Sequence, residues 1–117
     1  MTDSIASAIA HLNDQCRSRC MMPIFGGQKV KILMTQGIRA LGPEAQIGIA
    51  AEVAHFNTFT LDNDPYGERD FGMLEYEGER IFWKIDYYAP DMEHASEDPS
   101  NPEQTVRVLT IMLASEY

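Results

Sequence analysis

The segment Val106-Arg107-Val108-Leu109-Thr110-Ile111-Met112-Leu113-Ala114 most constrains the fold. Read as a strand, it is apolar on both faces apart from Arg107 and Thr110. A strand with one solvated face alternates apolar and polar residues, so a run without that alternation belongs inside a sheet with both faces covered. The cover must come from two helical layers or from a partner subunit, which leaves a homodimer open. Two strands precede it. Phe71 to Tyr76 and Glu79 to Tyr88 flank Glu77-Gly78, a pair suited to a tight hairpin turn. In the second strand Ile81, Trp83, Ile85 and Tyr87 face one way, while Arg80, Phe82, Lys84, Asp86 and Tyr88 face the other.

The N-terminal half supplies the helices. Thr2 to Ser4 offer capping side chains, and Ile5, Ala8, Ile9, Leu12 and Cys16 recur at helical spacing to about Arg19. Arg17 and Arg19 suit the negative end of that helix, and Pro23 with Gly26-Gly27 breaks it. Lys29 to Thr35 alternates early and reads as a strand. Gly37 and Gly42 bracket a turn, and Pro43-Glu44 starts a second helix through Ile47, Ile49, Ala50, Val53, Ala54 and Phe56. Apolar residues on so much of its circumference place that helix deep against the sheet, with Gly48 allowing a close approach. The expected fold is a single α+β domain over residues 1–117, in the order helix-strand-helix-strand-strand-strand. Its antiparallel sheet of about four strands packs on two helices.

A net charge of −9 is unevenly placed. Residues 60–117 carry four Lys/Arg against fourteen Asp/Glu, and no cation lies between Lys84 and Arg107. Asp86, Asp91, Glu93, Glu97, Asp98 and Glu103 accumulate in that interval. Such a surface repels phosphate backbones, so direct nucleic-acid binding is not expected, while a basic protein is attracted. No apolar run reaches the ~20 residues of a membrane span, and the first twenty residues lack the basic start of a secretory signal. A cytoplasmic protein is the expectation. Cys16 and Cys20, the only two cysteines, lie one helical turn apart and read as reduced thiols near the apolar face.

The stretches DNDPYGERDFG (62–72), IFWKIDYY (81–88) and VRVLTIMLASEY (106–117) resemble the bacterial domain-of-unknown-function family 3768, as does HFNTFTLDNDPYGE. The likeness covers about residues 28–117. It implies a small bacterial protein, often carried on plasmids or other mobile elements, with no established activity. Members of that family often carry a histidine where this chain has Arg69.

Candidate chemistry is sparse. Asp64-Pro65-Tyr66-Gly67 fits a type I turn, with Asp62, Glu68 and Asp70 in the same loop. Asp62, Asp64 and Gly67 match three positions of a calcium loop, but Tyr66 and Met73 stand where oxygen ligands are needed, so no metal or cofactor is assigned. No nucleophile motif occurs. The leading expectation is a non-enzymatic acidic interaction protein that binds and modulates a basic partner through Asp91, Glu93, Glu97, Asp98, Glu103 and Tyr88. On a mobile element it would inhibit a defence system by imitating nucleic acid. The enzymatic alternatives are two. One is an RNase whose layout looks like RelE/ParE-type toxins, with Arg80, Lys84, Tyr88, Arg107 and Tyr117 sharing one sheet face. The other is a carboxylate–metal hydrolase using Asp64, Glu68, Asp70 and Asp86.

Overall fold

A computed structural model describes residues 4–21 and 28–117. The capping positions Thr2 and Asp3 and the breakers Pro23, Gly26 and Gly27 lie outside the described residues. The elements are α1 (Ser4–Ser18), β1 (Lys29–Met34), α2 (Gln36–Arg39), α3 (Pro43–Ala54), β2 (Phe71–Tyr76), β3 (Glu79–Tyr88) and β4 (Val106–Leu113). Two 3₁₀ turns, Pro102–Gln104 and Ala114–Glu116, flank β4.

The fold is α+β, and its sheet has the order β1-β4-β3-β2. Strand β4 is internal and pairs antiparallel with β3 from Ile81↔Leu113 to Tyr88↔Val106. The sheet is mixed rather than antiparallel, because β1 lies parallel to β4 from Lys29↔Val106 to Met34↔Ile111. The reason is the helix between β1 and β2. At ~1.5 Å per residue α3 carries the chain back along the sheet, so β2 starts from the end where β1 started. The β2–β3 hairpin and the return into β4 then leave β4 running in the direction of β1.

All three helices serve one face of the sheet. Cys16 of α1, Ile38 of α2 and Ile49 and Val53 of α3 form a single cluster with Ile81, Trp83, Ile85, Leu109 and Ile111. No helix covers the opposite face among the described residues, which corrects the expectation of two helical layers. Val106, Val108 and Met112 on that face still keep only 4–6% of their surface exposed. They lie in register between β1 and β3; Val108, for instance, sits between Lys31 and Asp86. Tyr117 adds partial cover at one end, its ring centroid 5.3 Å from Phe82 and 5.9 Å from Phe71.

Both major helices are turned differently from the expected stripes. In α1 the buried residues are Ile9, Ala10, Asn13, Cys16 and Arg17, whereas Ile5 is 62% exposed. In α3 Ile49, Ala50 and Val53 are buried, but Ile47 is 68% exposed, so this helix is not enclosed all round. Gly48 does permit a close approach: a Cβ there would stand 2.2 Å from the Tyr76 hydroxyl. Arg17 does not serve the end of its own helix. It turns inward and its guanidinium donates to Val53 O at 3.1 Å and Phe56 O at 2.8 Å, carbonyls at and just beyond the end of α3.

An internal strand with so little exposure opens only in near-global unfolding. The amides of Val108 to Ile111 are therefore expected among the slowest to exchange with deuterium. Exchange there as fast as in β1 would overturn the assigned strand order.

Candidate interaction surface

The acidic segment between β3 and β4, which contains Pro90, Pro99 and Pro102, is folded back rather than extended. Ala89 N donates to His94 O at 2.7 Å and Ser96 N to Tyr87 O at 3.1 Å, folding 89–96 back on the end of β3. Tyr88 pairs with Ala95 in an isolated bridge. Asp91 closes the tip: its carboxylate accepts from Glu93 N at 2.8 Å, His94 N at 3.1 Å and the His94 ring at 2.7 Å. These donors, led by the Glu93 amide, hold its pKa down to about 2, so Asp91 stays charged at any ordinary pH.

The second half of the loop rests on a different set of bonds. Ser96 and Thr105 hydroxyls meet at 2.7 Å, Thr105 Oγ1 donates to Asp98 O at 2.9 Å, and Asn101 caps the 3₁₀ turn by accepting from Glu103 N at 3.0 Å. Asp98 is half-buried and its carboxylate accepts from Ser100 N at 3.2 Å, so it is a structural acid and leaves the partner-binding set. Glu93, Glu97 and Glu103 are exposed and point their charge outward. Asp91, Glu97 and Glu103, with His94 and Ala95, rim a shallow depression of about 350 Å³.

The loop beneath is equally ordered. Gly67 N donates to Asp64 O at 3.1 Å, closing the turn that Asp64 and Gly67 signalled, and Arg69 N donates to the Asp64 carboxylate at 3.0 Å. Asp62 stays exposed. Glu68 and Asp70 are half-buried, and desolvation raises the pKa of Asp70. Among the described residues only Asp91, Glu93 and His94 bring three ligand atoms within 4.8 Å of one another. Asp64, Glu68, Asp70 and Asp86 therefore do not assemble into a metal centre.

The five residues of the RNase alternative are also separated. Arg80, Lys84 and Tyr88 occupy the helix-free face, where Tyr117 also packs, but Lys84 is held by Asp86 at 2.8 Å. Arg107 pairs with Tyr87, not with its neighbour Tyr88, and so projects from the helix-covered face with no exposed surface. The expected common face was a parity error: Arg107 belongs with Leu109 and Ile111.

What the structure does assemble is a buried polar chain that joins the two loops. Glu68 Oε1 accepts from the Tyr87 hydroxyl at 2.9 Å. The Asn13 amide donates to that hydroxyl at 2.8 Å and to Glu68 O at 2.9 Å. Asn13 Oδ1 accepts from Arg107 Nε at 2.7 Å, and Arg107 donates onward to Pro99 O at 2.6 Å. The guanidinium also stands 5.1 Å from the Tyr87 ring centroid. Among the described residues no carboxylate pairs with Arg107 directly, and desolvation lowers its pKa. On the far side Asp14 links Arg17 to Arg69, and both guanidiniums lie against the Phe59 ring, at 5.3 and 5.1 Å. The signal for Asn13 was a polar residue at helical spacing from Ile9 and Cys16, and that for Arg107 a charge in an apolar strand. Burial pushes the Cys16 thiol up to about 12 and that of Cys20 to about 11, so both are protonated near neutral pH.

A mixed four-stranded sheet with helices on one face, carrying two cross-linked acidic loops, defines a small α+β domain with a shallow surface depression. Residues 34–116 match the family described as Protein of unknown function (DUF3768), and the chain belongs to that family. No curated protein and no solved structure matches it.

Removing Asn13 tests the buried chain. Asn13→Ala leaves Arg107 Nε without its acceptor in a buried site, an expected loss of about 3 kcal/mol in urea unfolding. A loss under about 0.5 kcal/mol would show that the network is dispensable. Asp64→Ala is expected to cost only about 1 kcal/mol, with no response to Mg²⁺ or Ca²⁺. A melting temperature that rises with either ion in the parent chain, and not in the variant, would restore a metal role to this loop.

Proposed function

We propose that this chain is a non-enzymatic interaction protein that binds and modulates a basic protein partner through the loop between β3 and β4. The observation that carries the reading is a pre-built loop presenting Asp91, Glu97 and Glu103 around a concavity, with Glu93 exposed in the same loop, in a stretch with no Lys or Arg. Like charges brought this close repel one another, and a Lys or Arg side chain in the depression relieves that repulsion. Because backbone and hydroxyl bonds already fix the loop, little ordering cost falls on the binding step.

The family resemblance points to a bacterial mobile-element setting. There the partner would be a protein that normally grips nucleic acid, such as a component of a defence system, with the carboxylates standing in for phosphates. The cations such a protein uses for phosphate would be occupied by this loop, which inhibits without chemistry.

The test replaces Glu93, Glu97 and Glu103 by Gln together, leaving the structural Asp91 and Asp98 intact. A basic partner captured from a bacterial lysate is then followed by surface plasmon resonance. The wild-type chain is expected to associate roughly tenfold or more faster than the triple variant at low salt, with dissociation changed far less. The difference should vanish as salt shortens the reach of the field. The wild-type chain should also displace a labelled DNA duplex from that partner. Equal association rates would reduce the loop to a solubility feature, and failure to displace DNA would remove the mimicry.

A further inference from the structure

The two edges of the sheet differ in a way that points to a second docking surface. Strand β1 forms one edge and carries exposed Lys29 and Lys31, charges that discourage pairing with another strand. Strand β2 forms the other edge with no Lys, no Pro and no interruption of its six-residue ladder with β3. The Asp70 carbonyl accepts from Ile85 N at 2.8 Å, which fixes the parity: the even-numbered residues of β2 bond to β3. Phe71, Met73 and Glu75 therefore aim their N–H and C=O groups away from the sheet. No hydrogen bond from the described residues reaches those groups.

Beside this edge runs a groove. A cavity of about 750 Å³ lies between α3 and β2, floored by Gly48 and Ala51 and walled by Phe71, Met73 and Asn63. A second depression of about 500 Å³ shares Gly48 and Tyr76 with it and extends past exposed Ile47 and Leu41. Glu52 lines the first, Glu44 and Glu77 the second, and neither contains a Lys or Arg. The groove thus offers apolar surface, three carboxylates and a row of open main-chain groups in one place.

We infer that β2 is a strand-addition site for an extended, basic segment of a partner protein. The segment would pair with Phe71, Met73 and Glu75 as a fifth strand. Its Lys or Arg side chains, all on one face of the added strand, would drop into the groove against Glu44, Glu52 and Glu77, and the aliphatic ones between them would lie on the opposite face beside Met73. Charge selects this occupant over a second copy of the chain. Two copies would each bring a net charge of −9 and the same three carboxylates to the contact. The inference does not depend on the loop between β3 and β4, which is a separate surface.

The probe is a fluorescent eleven-residue peptide alternating Lys with Val or Ile, compared with the same peptide N-methylated at alternate residues. N-methylation keeps the side chains and charge but blocks strand pairing. Binding is read by anisotropy, and amide exchange is followed at Phe71, Met73 and Glu75. The unmodified peptide is expected to bind and to slow exchange at those three amides. N-methylation, or Met73→Pro in the protein, should each weaken it by roughly tenfold or more, the equivalent of one or two main-chain hydrogen bonds. Proline at 73 removes an outward N–H and leaves the β2–β3 ladder intact. Glu52→Gln with Glu77→Gln should weaken binding by roughly threefold at low salt. No binding, equal binding of the two peptides, or unchanged exchange would overturn the inference. So would loss of binding only in the Glu93, Glu97 and Glu103 variant, which assigns the basic peptide to the loop instead. A dimer that Met73→Pro converts to monomer in sedimentation would place a second copy on the edge and also refute it.

Discussion

Arg107 is the constraint around which the molecule is arranged. It stands on the internal strand, on the face that the helices cover, with no exposed surface. A cation in that position is costly unless every available donor finds an acceptor. Its acceptors for Nε and Nη2 come from distant parts of the chain, Asn13 on α1 and the Pro99 carbonyl in the loop before β4, while Nη1 meets none among the described residues. Asn13 in turn reaches Tyr87 on β3 and Glu68 in the loop before β2. One buried charge thus fixes the seating of α1 and the positions of both surface loops relative to the sheet. An apolar residue at 107 would pack well but would leave the Pro99 carbonyl and Asn13 Oδ1 without their donor.

That arrangement explains which parts of the fold were legible in the sequence. The hairpin and the internal position of β4 follow from local chemistry, a Glu-Gly turn and an apolar run, and the structure has both. The direction of β1 was also within reach, because an intervening helix of strand length returns the next strand to the same end of the sheet. Counting only hairpins missed it. The burial of Asn13 and Arg17 was not legible from a hydropathy stripe, which sends polar residues to solvent. They are inside because partners more than thirty positions away meet them, Val53 and Phe56 for Arg17 and Glu68, Tyr87 and Arg107 for Asn13. Ile5 and Ile47 were displaced outward by the same rotation of the helices.

The candidate site was legible as composition and not as shape. The absence of cations between Lys84 and Arg107 was plain in the sequence, and so were the turn residues Asp64 and Gly67. Spacing alone could not separate Asp98, whose oxygens serve Ser100 and Thr105, from Glu97 beside it, which faces solvent. Parity misassigned Arg107 for a related reason. The register of β4 against β3 is set by pairing across the sheet, and a slip of one residue moves every side chain to the other face.

The distribution of exposed charge follows from the same architecture. Two of the chain's nine Lys/Arg residues are buried, and Arg69 and Lys84 are engaged by Asp14 and Asp86. Burying Arg17 and Arg107 takes two cations off the outer surface, which is therefore more acidic than composition alone suggests. The free carboxylates are then displayed in two settings with opposite mechanics. Around Asp91 and Glu97 the backbone is closed on itself by its own hydrogen bonds, so recognition there can use side chains and field alone. Along β2 the main chain is open and the acids lie to one side, so the partner proposed there would bind as a strand. A folded basic surface suits the first, whereas only an unfolded segment, able to give up its own backbone bonds to water, suits the second. A single basic partner with a folded domain and an extended tail could engage both, and the second contact would then be intramolecular, strengthened by effective concentration rather than by further contacts.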